Sequence, residues 1–234
     1  MISRKNTMPL AIAVALSTAL NSAKAADSNG KHLFILSGQS NMNYLNPEVS
    51  FIPSLEKALG KGNVIVVKDA QDAQPIRRWY KAWKPASGEQ PQGNGDLYNR
   101  LWGKVKKAIE GQKFATVTFV WLQGERDATE KHGEVYAESL KGLVQQLADD
   151  LKRNDLNVVV GRINDHDMKN KSKPHWTMVR DAQVKAVKEL PRADWVDTDD
   201  LNGPQNGIHA TADGYKTLGE RFAEKALKLI LEKK

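Results

Sequence analysis

The chain has 234 residues, 40% of them apolar and none of them cysteine. That length can bury one substantial core, and the missing cysteines exclude disulfides, a thiolate nucleophile and a lipidated cysteine. The formal charge of +7 is spread over helical patterns such as Lys104-Val105-Lys106-Lys107, with no basic stripe carrying interleaved aromatics, so no nucleic-acid partner is expected.

Arg4 and Lys5 precede an apolar run over residues 9–20, and Ala23-Lys24-Ala25 offers small residues at the two positions a signal peptidase reads. A signal peptide over 1–25 is predicted, with cleavage after Ala25. Removing Arg4, Lys5 and Lys24 leaves a mature chain of charge +4. Export to the periplasm or beyond is expected, with a single domain over 26–234. The run is too short to span a bilayer permanently and no later stretch is apolar enough, so no stable membrane anchor is expected.

The first strand is the apolar run His32-Leu33-Phe34-Ile35-Leu36, broken by Ser37-Gly38-Gln39-Ser40-Asn41-Met42. A serine delivered at a strand end is either a helix N-cap or a nucleophile. The second role needs a base, and oxyanion donors such as the free N–H groups of a following helix. A short helical pattern over 54–59 leads to Val64-Ile65-Val66-Val67, a β-branched run that reads as a strand covered on both faces in a parallel sheet. A Gly, Pro and Gln-rich loop over 85–95 is either functional or a surface insertion.

Asp96 is the expected N-cap of a helix running to about residue 110 and stopped by Gly111. The pattern continues with a strand over 115–121, a polar turn at Leu122-Gln123-Gly124-Glu125-Arg126-Asp127 and a helix over 135–151. A fourth strand over 156–160, a helix over 175–190, a short strand over 195–197 and a final helix from about Thr211 complete it. Strands alternate with helices, and polar clusters fall at the strands' C-terminal ends. That pattern predicts an α/β fold: a three-layer α/β/α sandwich with a central parallel sheet of about five strands, its ligand site along those ends.

A serine on that rim needs a base, and Asn206-Gly207-Ile208-His209 supplies one just before the last helix. Histidine suits general-base work near neutral pH. His32, His132 and His175 fall at strand or helix starts. His166, between Asp165 and Asp167, imitates a metal ligand but has no partner at ligand spacing, so no metal is expected.

Three blocks resemble the sialate O-acetylesterase and acetylxylan esterase group of the SGNH hydrolases, akin to carbohydrate esterase family 6. Ser37-Gly38-Gln39-Ser40-Asn41-Met42 resembles its nucleophile block, and Trp121-Leu122-Gln123-Gly124-Glu125-Arg126-Asp127 its Trp-x-Gln-Gly-Glu-x-Asp block. Gly207-Ile208-His209, followed by Gly214-Tyr215 and Leu218-Gly219, resembles its terminal block. The resemblance implies a flavodoxin-like sandwich, an acetylated carbohydrate as substrate and no cofactor. Ser40 would be the nucleophile and one oxyanion donor through its own N–H, Gln123 a side-chain oxyanion donor, and His209 the base. Gln39, Asn41, Arg77 and Trp79 would line the substrate site.

Two departures from the group's pattern matter. Where the group often has Gly-Gly-x-Pro-Ile-x-x-Trp, this chain reads Asp72-Ala73-Gln74-Pro75-Ile76-Arg77-Arg78-Trp79. Ala73 keeps an N–H but is strained if its φ is positive, and Asp72 brings negative charge that Arg77 or Arg78 would have to neutralise. Asn206 stands where many such enzymes have the aspartate that orients the histidine. The orienting group is then Glu125, ranked first, or Asn206 as a neutral partner, with Asp197, Asp199 and Asp200 as further candidates. Of the six tryptophans, Trp79 and Trp83 are the candidate sugar platforms. The leading expectation is an O-acetylesterase. An esterase or lipase of other acyl specificity, and a carbohydrate-binding protein with weakened chemistry, are the alternatives.

Overall fold

The computed structural model describes residues 30–232, so the predicted signal peptide lies outside the described residues. Five strands, β1 (Lys31–Gly38), β2 (Val64–Ala70), β3 (Phe114–Leu122), β4 (Asn157–Gly161) and β5 (Ala193–Val196), form one sheet in the order β2-β1-β3-β4-β5. Every pairing is parallel, with Ile35 opposite both Val67 and Phe119. This is the flavodoxin-like order, in which the chain starts near the centre and reverses direction between β1 and β3.

Among the described residues seven α-helices accompany the sheet: α1 (Ser40–Tyr44), α2 (Phe51–Leu59), α3 (Asp96–Ile109), α4 (Glu125–Thr129), α5 (Gly133–Leu151), α6 (Trp176–Glu189) and α7 (Ala212–Leu231). Alternation along β1 explains the layers. Leu33 and Ile35 point into a core shared with α3, α5 and α6, whereas Phe34 and Leu36 point into one shared with α1, α2 and α7. All four are fully buried, and each contributes roughly 1.5–3 kcal/mol of burial. β2 is covered on both faces as its β-branched run predicts, but it is an edge strand, so most of its residues are only half-buried.

Two local features differ from the sequence reading. Both polar turns, at Ser40 and at Glu125, continue as five-residue helices too short to show any periodicity. Asp96 is the first residue of α3, and Gly95 in a left-handed conformation is its cap. Gly38 ends β1 at φ 147°, where a Cβ would lie 1.9 Å from the Leu122 carbonyl oxygen. A glycine there lets β1 and β3 end side by side, with Gln39 N–H donating to Leu122 O at 3.0 Å. Among the described residues no helix is long and apolar enough to cross a membrane.

Candidate active site

Because all five strands are parallel, the segments after them crowd one edge of the sheet. Ser40 follows β1, Asp72 and Ala73 follow β2, Glu125 follows β3, and His209 lies in the long connection after β5. Ser40, the first residue of α1, is 6% exposed and points at His209, whose Nε2 stands 3.0 Å from its Oγ. Side chains 169 positions apart thus meet as a hydroxyl and an imidazole at hydrogen-bonding distance. They open onto a cavity of about 320 Å³ that Tyr44, Asp72 and Ala73 line along with Glu125 and Lys173. No residue of the 85–95 loop lines it.

Ala73 is exposed, with φ 54°, the left-handed conformation in which alanine is strained. Its N–H and that of Ser40 donate no hydrogen bond among the described residues. Both residues line the same cavity. The Asp72 carboxylate is held by neutral partners, Asn43 Nδ2 at 2.9 Å and Tyr44 OH at 3.2 Å. Its charge pushes the Tyr44 hydroxyl above its ordinary range. Neither arginine neutralises that charge: Arg77 is ion-paired with Glu130 and Arg78 with Asp96. Arg77 is also absent from the cavity wall.

Gln123 is displaced from its expected role. It is fully buried, and its amide nitrogen donates to Asp127 Oδ2 at 2.6 Å, Gln74 O at 3.0 Å and Gln39 Oε1 at 3.2 Å, while Oε1 accepts from Tyr136 OH. An amide with only two N–H bonds has none left for an oxyanion. Gln39 is buried beside it, accepting from Gln123 and from Arg126 N–H, and borders the cavity. The two tryptophan platforms are corrected as well. Trp79 is fully buried, edge-on to Trp121 with centroids 5.2 Å apart, and Trp83 is buried against His132. Large aromatic area is withdrawn from water when a core is available to take it.

None of the proposed orienting groups hydrogen-bonds to the His209 ring among the described residues. Asn206 turns away at φ 49°, its side chain bonded to Asn202 Nδ2 at 2.6 Å and to Asp165 O at 3.3 Å. Asp197 and Asp199 pair with Arg162, and Asp200 pairs with Arg221. Glu125 is buried and accepts instead from Asn41 Nδ2 at 2.8 Å, its other oxygen having no partner among the described residues. Burial pushes its carboxyl above the ordinary range. His209 Nδ1 makes no hydrogen bond among the described residues; the ring touches Ser40 and the edge of Tyr44, with centroids 5.1 Å apart. Tyr44 went unnoticed in the sequence, although it falls one helical turn after Ser40 and therefore on the same face. His166 Nδ1 lies 2.7 Å from Asn206 O. No group of three or more His, Asp or Glu side chains able to hold a metal ion occurs among the described residues.

Comparison with known proteins adds a family. The model of a family described as carbohydrate esterase, sialic acid-specific acetylesterase matches residues 43–228, a stretch that begins just after Ser40 and includes His209. No curated protein matches the chain in sequence. A protein from Arabidopsis thaliana superposes with a TM-score of 0.66 at 19% identity, over 85% of this chain and 98% of its own. A carbohydrate acetylesterase from Xanthomonas citri gives 0.63 at 18% identity, over 85% of this chain and 56% of its own, so this chain spans about half of that protein. An acetyl xylan esterase from Geobacillus stearothermophilus gives 0.51 at 13% identity, over 86% of this chain and 94% of its own. At these identities the likenesses establish a shared fold.

Proposed function

The chain belongs to the carbohydrate esterase family of sialic acid-specific acetylesterases, which are carboxylic ester hydrolases, and from that premise we propose that it removes O-acetyl groups from carbohydrates with Ser40 as nucleophile and His209 as base. The observation that carries this reading is the 3.0 Å approach of His209 Nε2 to Ser40 Oγ at the cavity. Nε2 takes the hydroxyl proton as Oγ attacks the ester carbonyl, and the N–H groups of Ser40 and Ala73 face the oxygen that gains charge. Collapse of the tetrahedral adduct expels the sugar alcohol, which receives the proton from Nε2 and leaves acetyl on Ser40. Water then repeats the sequence and releases acetate. Acetyl is small, and the open cavity leaves room for the carbohydrate beside it.

A carbohydrate-binding protein with weakened chemistry is the second reading. It is favoured by His209 Nδ1, which lacks the carboxylate whose loss from a serine triad costs on the order of ten thousandfold in rate. One assay separates the two: turnover of an aryl acetate, acetylated xylan and acetylated sialic acid beside Ser40→Ala. Wild-type turnover well above that variant is expected, and wild-type turnover no faster than it overturns the enzymatic reading. Arg4, Lys5, the apolar run and Ala23-Lys24-Ala25 support export as part of the proposal. Ala26 at the N-terminus of the protein recovered outside the cytoplasm is the expected result.

A further inference from the structure

Asn41 follows the serine directly, is 7% exposed, and spends its whole amide on protein partners. Nδ2 donates to Glu125 Oε1 at 2.8 Å and to Ile208 O at 3.0 Å, while Oδ1 accepts from Ala210 N–H at 3.2 Å and from Tyr215 OH at 3.0 Å. A primary amide has two N–H donors and one oxygen with two lone pairs, so nothing remains for a substrate. The orientation is fixed as well: turned over, Oδ1 would face the Glu125 carboxylate and the Ile208 carbonyl, and Nδ2 would face the Ala210 N–H.

Ile208 and Ala210 are the two neighbours of His209. We propose that Asn41 is a positioning residue that registers the base against the nucleophile, gripping the backbone on both sides of His209 from the residue next to Ser40. The proposal rests on the reading of Ser40 and His209 as nucleophile and base. His209 needs such a grip because its side chain is exposed and no carboxylate holds Nδ1, which leaves its backbone to set where Nε2 sits. Glu125, the expected orienter, acts one step removed: its one hydrogen-bonded side-chain oxygen accepts from Asn41. Asn164 Nδ2 braces the same loop from β4's side through Gly207 O at 3.1 Å and Ile208 O at 3.3 Å, so losing Asn41 loosens the loop without releasing it.

The test measures kcat, KM and thermal midpoint on an aryl acetate for wild type, Asn41→Ala, Asn41→Asp and Tyr215→Phe, with Ser40→Ala as the blank. Misplacing a catalytic group by about 1 Å costs roughly 100-fold, so Asn41→Ala and Asn41→Asp should lower kcat by about that factor while KM stays within about twofold. Asp is nearly isosteric but cannot donate to Ile208 O and sets a second carboxylate against Glu125. Tyr215→Phe removes one donor and keeps the ring, and should lower kcat about three- to tenfold. A raised KM with unchanged kcat would make Asn41 a substrate contact, and a lowered midpoint with unchanged kcat would make it a merely structural residue; either overturns the proposal. If Asn41→Ala fails to fold, an unchanged kcat in Tyr215→Phe overturns it. Wild-type turnover no faster than Ser40→Ala overturns the underlying esterase reading instead, which keeps the two failures distinct.

Discussion

Replacing Asp127 by asparagine should make the protein's stability markedly less sensitive to pH. Asp127 is fully buried on α4; Oδ2 accepts from Ile76 N–H at 2.8 Å and Gln123 Nε2 at 2.6 Å, while Oδ1 accepts no hydrogen bond among the described residues and faces His132 Nδ1 at 4.0 Å. Burial, with a lesser push from the Glu130 charge, raises its carboxyl to about 7. In the unfolded chain the same group ionises near pH ~4. Between these values the folded state binds more protons than the unfolded one, so the contribution is whole below pH ~4 and is lost as pH rises to about 7. Each pH unit in that window is worth about 1.4 kcal/mol, and about three units give ~4 kcal/mol. Asparagine stays neutral, its carbonyl oxygen keeps both accepted hydrogen bonds, and its amide nitrogen takes the place of the oxygen that accepts none. Urea denaturation of both proteins at a series of pH values should show the stability of Asp127→Asn minus that of wild type growing by ~4 kcal/mol from acid to neutral pH. Glu125, buried and raised in the same direction, contributes to both proteins and cancels. A difference that stays flat with pH would refute the reasoning, because Asp127 would then ionise as easily folded as unfolded.

Ala73→Gly should relieve the strain at φ 54°, raising stability by about 1 kcal/mol and the thermal midpoint by roughly 2–4 °C, read by differential scanning calorimetry. Gly38→Ala should be the opposite case: the new Cβ would meet the Leu122 carbonyl at 1.9 Å, and a loss of about 3 kcal/mol or more is expected in the urea midpoint. Glu125→Gln keeps an oxygen to accept from Asn41, so kcat should fall less than about tenfold. A carboxylate acting directly on His209 would instead cost about ten thousandfold, and steady-state kinetics on an aryl acetate separates the two.

The parts of the fold visible in the sequence were those set by local periodicity. The apolar run of β1, the β-branched run of β2 and the stripes of α5 and α7 announced their elements, and parallel connection then obliged Ser40 and His209 to share an edge. What stayed hidden depended on partners distant in sequence. Gln123 has the right chemistry for an oxyanion donor, but Asp127, Gln74 and Gln39 consume its N–H bonds, and that competition is decided only when β3's end meets the loop after β2. Trp79 sits beside site residues in the chain, yet the core under Trp121 takes its ring. Asn206 stands three residues before His209, and a left-handed turn sends it to Asn202 instead. The family resemblance places Asn41 among the substrate-lining residues, and its partners place it elsewhere. Its four partners come from α4, from the connection after β5 and from α7, none of which one-dimensional spacing brings near it.

In the proposed mechanism Ser40 is a nucleophile activated by His209. Incubation with a fluorophosphonate, followed by peptide mass mapping beside residual turnover of an aryl acetate, tests it most directly. One adduct is expected on Ser40, formed in step with loss of turnover, absent from Ser40→Ala and greatly slowed in His209→Ala. Inactivation with the label on another residue, or labelling of Ser40 that proceeds equally fast without His209, would contradict it.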